Sequence, residues 1–258
     1  MSKKALLVVS FGTTYHDTRK KTIEACEQDL QEAFPNHTFF RAYTSQIIIN
    51  HLARRDGLII LNPTEALEQI YELGYDEVLI QSLHIICGSE YHKLCEDVSL
   101  FQSKFKKLTI GRPLLTTISD YQSTVLAVSH NLPLFKEDES LVFMGHGTYH
   151  FMFPAYCALE YMFQEANIPI YIGTVEGYPT FKEVLGKLKR AGIKKVYLAP
   201  FMLVAGDHAT LDMSGDDPDT WKSQLLDTQI EPIILLQGLG ENPNIRKLFI
   251  DHAKESLN

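Results

Sequence analysis

Three side chains that could bind a divalent metal recur at regular intervals in the second half of this 258-residue chain. His146 stands in "MGHGT", Glu176 in "TVEGY" and His208 in "AGDHA", at intervals of 30 and 32 residues. Two imidazoles and a carboxylate suit a first-row divalent metal and leave coordination positions open. The pattern predicts a shared metal or acid–base site. The alternative is that each histidine is a hydrogen-bonded structural residue at the end of a strand.

The elements that would position these side chains follow an alternating pattern. Short apolar runs such as "KALLVVSFG" predict strands, and amphipathic segments such as "TRKKTIEACEQDLQEAF" predict helices. The segment "NPTEALEQIYELG" predicts a helix that begins near Pro63 and ends at Gly74. The alternation indicates an α/β fold with mostly parallel sheets covered by helices on both faces. Each of the three metal-binding candidates would then follow a strand at the carboxyl edge, where such sheets bind ligands.

The two halves of the chain resemble each other. "LLVVSFGT" matches "LVFMGHGT", and "LGYDEVLIQSLHIICGSE" matches "AGIKKVYLAPFMLVAGDH". The match predicts two similar lobes related by a pseudo-twofold duplication: an N-terminal α/β lobe over residues 1–125 and a C-terminal α/β lobe over residues 136–258 that carries the metal site. In the first half, Phe11 stands where His146 stands in the second, and Glu90 stands where His208 stands.

Composition excludes several classes of function. The net charge of −8 argues against a surface for nucleic acid, although a polyanionic small molecule held by specific donors stays open. No apolar run approaches the roughly 20 residues of a membrane span, so no membrane partner is expected. The four cysteines form no CxxC pair, which favours free thiols in a reducing cytoplasm.

The first half offers groups for binding a substrate and lacks the glycine motifs of nucleotide-binding loops. Hydroxyls in "SFGTT" and backbone N–H groups at the start of a helix could hold a carboxylate. His84 lies on a predicted strand and either faces the cleft or is a buried, hydrogen-bonded histidine. The candidate substrate-binding residues are Ser10, Phe11, Gly12, Thr13, His84, Ser89, Glu90, Met202 and Leu203.

The segments "KALLVVSFGTTYHDT", "IQSLHIICGSEY", "VFMGHGTYH", "VEGYP", "FMLVAGDHA", "DMSGDD" and "GLGENP" together carry a family resemblance. The chain resembles the anaerobic sirohydrochlorin cobaltochelatases, the CbiK class of the class II chelatase superfamily. The resemblance implies a two-lobed fold with His146, Glu176 and His208 as metal ligands. One departure is Cys87, which stands where a small polar residue such as asparagine is expected.

The resemblance also implies an activity. It is the insertion of Co²⁺ into the tetrapyrrole sirohydrochlorin, with release of two protons, on the anaerobic early-cobalt route to cobalamin. Co²⁺ would be the metal substrate, with Fe²⁺ as an alternative, and no organic cofactor is expected. The resemblance also leaves room for a homo-oligomer. Two alternatives remain: a sirohydrochlorin ferrochelatase that makes sirohaem, and a non-catalytic carrier of tetrapyrrole or metal.

The expected roles of the three residues follow from their chemistry. An imidazole has an unperturbed pKa near ~6.5, so a neutral His146 could accept a pyrrole proton at physiological pH. His208 and Glu176 would keep the metal partly coordinated while the macrocycle nitrogens replace its water ligands. Because three ligands do not saturate the ion, it can be handed over to the macrocycle.

Overall fold

The structure is a computed structural model that describes residues 2–258, in which strands and helices alternate as the sequence predicts. The first half contains β1 (Lys4–Ser10), α1 (His16–Arg19), a π-helical turn (Lys20–Glu24), α2 (Ala25–Ala33), β2 (Thr38–Tyr43), α3 (Gln46–Asp56), α4 (Pro63–Glu72), β3 (Glu77–Ser82), α5 (Ser89–Ser99), β4 (Lys107–Gly111) and α6 (Ile118–Ser129). The second half contains β5 (Glu139–Thr148), α7 (Ala155–Glu165), β6 (Ile170–Gly177), α8 (Phe181–Arg190), β7 (Lys195–Phe201), a π-helical turn (His208–Met213), α9 (Trp221–Asp227), β8 (Glu231–Ile234), a 3₁₀ turn (Leu239–Glu241) and α10 (Pro243–Glu255). No helix among residues 2–258 is long and apolar enough to cross a membrane.

The strands form two four-stranded parallel sheets with the same strand order. The first sheet runs β2-β1-β3-β4 and the second β6-β5-β7-β8. Parallel strands need crossover connections, and the helices that provide them cover the faces of the sheet. The structure confirms the predicted α/β class and the two similar lobes.

Side-chain alternation along the central strands divides the core into layers. On β1, Leu6 and Val8 pack in a core that both halves share, whereas Leu7 and Val9 pack in a core formed by the first half alone. On β5, Phe143 faces the shared core in the same way. Both faces of each central strand are therefore buried, which explains why these strands read as continuous apolar runs.

Helix α4 shows how local sequence signals set the ends of an element. Asn62 and Glu65 form a reciprocal capping box, and Pro63 occupies the first turn, where its missing N–H costs nothing. Gly74 follows the helix with a φ of 74°, which a residue with a side chain rarely adopts. The predicted start and stop of this helix are confirmed.

The last helix returns to the first half of the chain. Helix α10 packs against β3, β4, α2 and α6. At this contact the Arg112 guanidinium donates two hydrogen bonds to Asp120, both of 2.8 Å, and His252 Nε2 lies 3.1 Å from the same carboxylate. Burial alone would raise the pKa of Asp120, but the hydrogen bonds from Arg112 and Thr117 hold it well below its usual range. The predicted boundaries of the two lobes, at residues 125 and 136, stay a prediction. Helix α10 connects the two parts, because it belongs to the second half of the chain and packs on the first.

Candidate active site

One cleft of about 460 Å³ lies where the carboxyl ends of strands from both sheets meet. Its walls come from the segments that follow β1, β3 and β7 and from the last residues of β5 and β6. This volume is within the range of ~300–1,000 Å³ that is typical of small-molecule sites. The cleft is the place at which parallel α/β sheets bind their ligands.

The two histidines predicted as metal ligands lie side by side in this cleft. The ring centroids of His146 and His208 are 5.0 Å apart, and the ring planes are inclined by 79°. His146 belongs to β5 itself, because the pairing of β5 with β6 continues through Thr148. His208 begins the π-helical turn that follows β7. The chain therefore brings together residues from two strand ends that are distant in sequence.

The hydrogen bonds of the two rings determine which nitrogen is free. His146 Nδ1 lies 3.2 Å from the carbonyl oxygen of Gly147, and His208 Nδ1 lies 2.6 Å from Oδ2 of Asp212. Carbonyl and carboxylate oxygens only accept hydrogen bonds, so Nδ1 is the donor in both rings. In the neutral imidazoles the lone pair is then on Nε2, the atom that can bind a metal or accept a proton.

Glu176 lies on the same wall but is not assembled with the two histidines into a closed site. It is paired in register with Gly147 across β5 and β6, and its exposed side chain lines the cleft. Among residues 2–258, no three histidine, cysteine, aspartate or glutamate side chains are close enough to hold an ion as they stand. The set of three metal ligands stays a prediction. The structure places two of its members, His146 and His208, next to each other.

The glycines around His146 serve the packing of β5. Gly147 has a φ of 81°, and a Cβ there would overlap the carbonyl oxygen of Glu176. A Cβ on Gly145 would lie 2.5 Å from the ring of Tyr156. Both glycines therefore allow neighbouring elements to approach the strand. Tight packing therefore explains these glycines without a bound ligand.

The apolar candidates line the cleft from both halves of the chain. Phe11 is 45% exposed, and its ring centroid is 6.5 Å from that of His146. Met202 and Leu203 follow β7 and line the cleft beside His208. These residues supply apolar surface around the two histidines.

The polar candidates from the first half fall into two groups. The cleft is lined by Gly12 and Thr13 after β1, and by Ser89 and Glu90 at the start of α5. Ser10 does not line it: this residue ends β1, is 2% exposed, and its Oγ has no hydrogen-bond partner among the described residues.

His84 both lines the cleft and is shielded from water. Its Nδ1 lies 2.8 Å from Oγ of Ser82, whereas its buried Nε2 has no partner among the described residues. Burial lowers the pKa of His84 to about 4, because the charged ring would lose its hydration. The ring is therefore neutral at physiological pH.

The charge of the cleft is negative. Glu90, Glu176 and Asp207 line it, and no lysine or arginine does so within the part of the chain that the structure describes. Such a wall favours a dication over an anion. The carboxylates of an anionic ligand would have to lie towards the rim, next to hydroxyls and backbone N–H groups.

Sequence reasoning missed two contacts beside His208. Tyr15 Oη donates a 2.6 Å hydrogen bond to Asp207 across the cleft, and this bond raises the pKa of Tyr15. Nothing in the sequence links these two residues, because 192 positions separate them. The contact between His208 and Asp212 spans four positions in one helical turn, and this spacing could have revealed it.

Comparison with known proteins gives consistent matches over the whole chain. The family model described as cobalt chelatase (CbiK) matches residues 4–258. The sirohydrochlorin cobaltochelatase of Salmonella typhimurium is 46% identical over 256 residues, which cover 99% of this chain and 97% of that protein. Sirohydrochlorin cobaltochelatase CbiKC of Nitratidesulfovibrio vulgaris is 34% identical over 264 residues, covering 100% and 92%. The solved structure of SirB from Bacillus subtilis with Fe³⁺ has a TM-score of 0.69 at 16% identity, covering 98% and 95%, and supports the fold alone.

Proposed function

The chain belongs to the cobalt chelatase (CbiK) family, and on this basis we propose that it is a sirohydrochlorin cobaltochelatase, which inserts Co²⁺ into sirohydrochlorin and releases two protons. The observation that carries the proposal is the pair of histidines, with ring centroids 5.0 Å apart, whose Nε2 atoms have no hydrogen bond to any of residues 2–258. Their position in a cleft with apolar walls provides a metal-binding edge beside a surface for a flat macrocycle.

The arrangement suits a transient metal site. His146, Glu176 and His208 would hold the ion through a subset of its coordination positions and leave the others to water. The acidic wall lowers the free energy of the dication before the macrocycle replaces those waters. Three ligands would leave the ion free to pass to the macrocycle, since a saturated site would retain the metal.

The same residues would handle the protons. As macrocycle nitrogens replace His146 at the metal, its Nε2 becomes free to accept a pyrrole proton. His84 is poorly suited to this task, because burial holds its pKa at about 4. We therefore assign the proton-accepting role to His146.

The walls of the cleft would orient the macrocycle. Phe11, Met202 and Leu203, which line the cleft, would cover the faces of the ring. Ser89 and backbone N–H groups at the start of α5 would hold carboxylates at the rim, where a helix N-terminus favours negative charge. Thr13 is only 3% exposed, and its Oγ1 accepts a hydrogen bond from the backbone N–H of Tyr15. Ser10 is buried beneath this surface, so its side chain would not contact the macrocycle directly.

The biosynthetic pathway to which the reaction belongs follows from the same proposal. Cobalt insertion at the level of sirohydrochlorin belongs to the anaerobic, early-cobalt route to cobalamin. A cytoplasmic location and a homo-oligomer stay predictions. The four cysteines of the chain are free in the structure.

The deciding experiment is anaerobic absorbance spectroscopy with excess sirohydrochlorin and Co²⁺ over the protein. We expect many equivalents of metallated product per protein, faster with Co²⁺ than with Fe²⁺. A single equivalent would indicate a carrier, and faster Fe²⁺ insertion would indicate a sirohaem-forming ferrochelatase. His146→Ala should abolish turnover while the circular dichroism spectrum stays that of the parent. Near-parental turnover in this variant would refute the role of His146.

A further inference from the structure

The two metal-binding histidines are held in their orientations by different means. The Nδ1 atom of His146 lies 3.2 Å from the carbonyl oxygen of the next residue, Gly147, within a strand whose pairing with β6 continues through Thr148. His208 lies at the start of a π-helical turn with 37% of its side chain exposed, and its ring has one hydrogen-bond partner among the described residues, Asp212. The orientation of His208 therefore depends on a side chain.

The contact with Asp212 has the geometry of a strong hydrogen bond. The distance from Nδ1 to Oδ2 is 2.6 Å, close to the ~2.7–2.9 Å of bonds between a nitrogen donor and a carboxylate. The two residues are four positions apart in the turn, so their side chains lie on the same face. The bond keeps the hydrogen on Nδ1 and the lone pair on Nε2, and the negative carboxylate makes that lone pair a better donor to a cation.

From this geometry we propose that Asp212 is a positioning residue for metal capture. It holds the ring of His208 with Nε2 available in the cleft, so that Co²⁺ meets a preoriented ligand. The inference deepens the proposed function and rests on it, because it assumes that His208 binds the metal substrate. It assigns to Asp212 no contact with the metal or the macrocycle.

A structural role for the same pair would leave a different signature. Asp212 is 51% exposed and His208 37% exposed, and ion pairs at such exposed positions contribute little to stability. Loss of the pair should therefore leave the melting temperature nearly unchanged and weaken the binding of Co²⁺. Loss of a residue that merely stabilises the turn would instead lower the melting temperature and leave Co²⁺ binding nearly unchanged.

The test measures Co²⁺ affinity by calorimetry and by the visible absorption of the bound ion, without tetrapyrrole. Asp212→Ala should weaken Co²⁺ binding by about 10- to 100-fold, the usual effect of losing a partner behind a metal ligand. Asp212→Asn keeps an oxygen acceptor without the charge and should fall between Asp212→Ala and the parent. In steady-state assays the KM for Co²⁺ should rise, while the KM for sirohydrochlorin should stay within about twofold of the parental value, because Asp212 is placed behind the ligand.

Asp227→Ala is the matched control. Asp227 is an exposed residue at the end of α9, with no side-chain hydrogen bond among the described residues and no place in the cleft wall. Its removal subtracts the same charge from the same half of the chain. Equal losses of Co²⁺ affinity in Asp212→Ala and Asp227→Ala would overturn the inference, because they would indicate a long-range charge effect. Parental affinity in Asp212→Ala would overturn it as well.

A further variant separates this inference from the proposed function. If the parent inserts cobalt and His208→Ala weakens Co²⁺ binding while Asp212→Ala does not, the positioning role alone fails. If His208→Ala leaves Co²⁺ binding unchanged, the assignment of the metal ligand fails, and the role of Asp212 fails with it.

Discussion

The shielded imidazole of His84 should make the protein sensitive to mild acid. Its pKa is lowered to about 4 by burial, whereas a histidine in the unfolded chain titrates near ~6.5. Between these two pH values, His84 is mostly protonated in the unfolded chain and mostly neutral in the folded protein. The contribution of neutral His84 to the free energy of unfolding is therefore fully present above pH ~6.5 and is lost as the pH falls towards the pKa of the folded state.

The size of the effect follows from the difference between the two pKa values. At ~1.36 kcal/mol for each unit, the full loss is about 3 kcal/mol. At pH ~5 the unfolded histidine is almost fully protonated and the folded one mostly neutral, so about 2 kcal/mol of this loss is already present. Such a loss is a large fraction of the ~5–15 kcal/mol that stabilises a typical domain.

The assay is urea-induced unfolding of the parent and His84→Asn at pH 7.5 and pH 5.0. Asparagine can keep a hydrogen bond to Ser82 and does not titrate, so the parent should lose about 2 kcal/mol more than the variant between the two pH values. The pKa values of His37 and His252 are also lowered by desolvation, but both residues are present in the two proteins, so their contributions cancel. As a control, His16→Asn alters a side chain that is 57% exposed and should reproduce the parental pH dependence. Parallel stability curves for the parent and His84→Asn would refute the reasoning.

Two further substitutions test the walls of the cleft. Glu176→Ala should weaken Co²⁺ binding by about tenfold, ~1.4 kcal/mol, and leave sirohydrochlorin binding within about twofold; unchanged cobalt affinity by calorimetry would count against Glu176 as a ligand. Gly147→Ala should lower the free energy of unfolding by about 2 kcal/mol or more, since it adds a left-handed residue and an overlap with the adjacent strand. Gly206→Ala is its control, because a Cβ there meets no atom nearer than 3.9 Å; equal stability losses in the two variants would contradict the packing argument.

Much of the fold could be predicted because its signals are local. The run "ALLVVS" reads as a buried strand because β1 is covered on both faces. Asn62, Pro63 and Gly74 mark the limits of α4 through backbone chemistry that does not depend on distant residues. The similar order of the strands in the two sheets likewise follows from a repeat that is visible in the letters.

The candidate site could be predicted in part. His146 and His208 meet because His146 lies in the last residues of β5 and His208 follows β7, and these parallel strands have their carboxyl ends at one edge of the sheet. The place of Glu176 beside Gly147 follows from the same topology. Ser10 shows the limit of this reasoning: it ends a strand as expected, yet its side chain is buried under the wall of the cleft.

The sequence alone determined the α/β class, the two similar lobes and the two strand ends that supply the histidines, because periodicity and repeats can be read directly from the order of the residues. Tertiary structure decided which ring nitrogen each histidine exposes, the tie between Tyr15 and Asp207, and the depressed pKa of His84. These properties depend on atoms from distant segments that meet within about 3 Å, and on the water that their packing excludes. No local pattern records where a loop places a side chain, so the electrostatics of the cleft appear only once the two sheets are folded together.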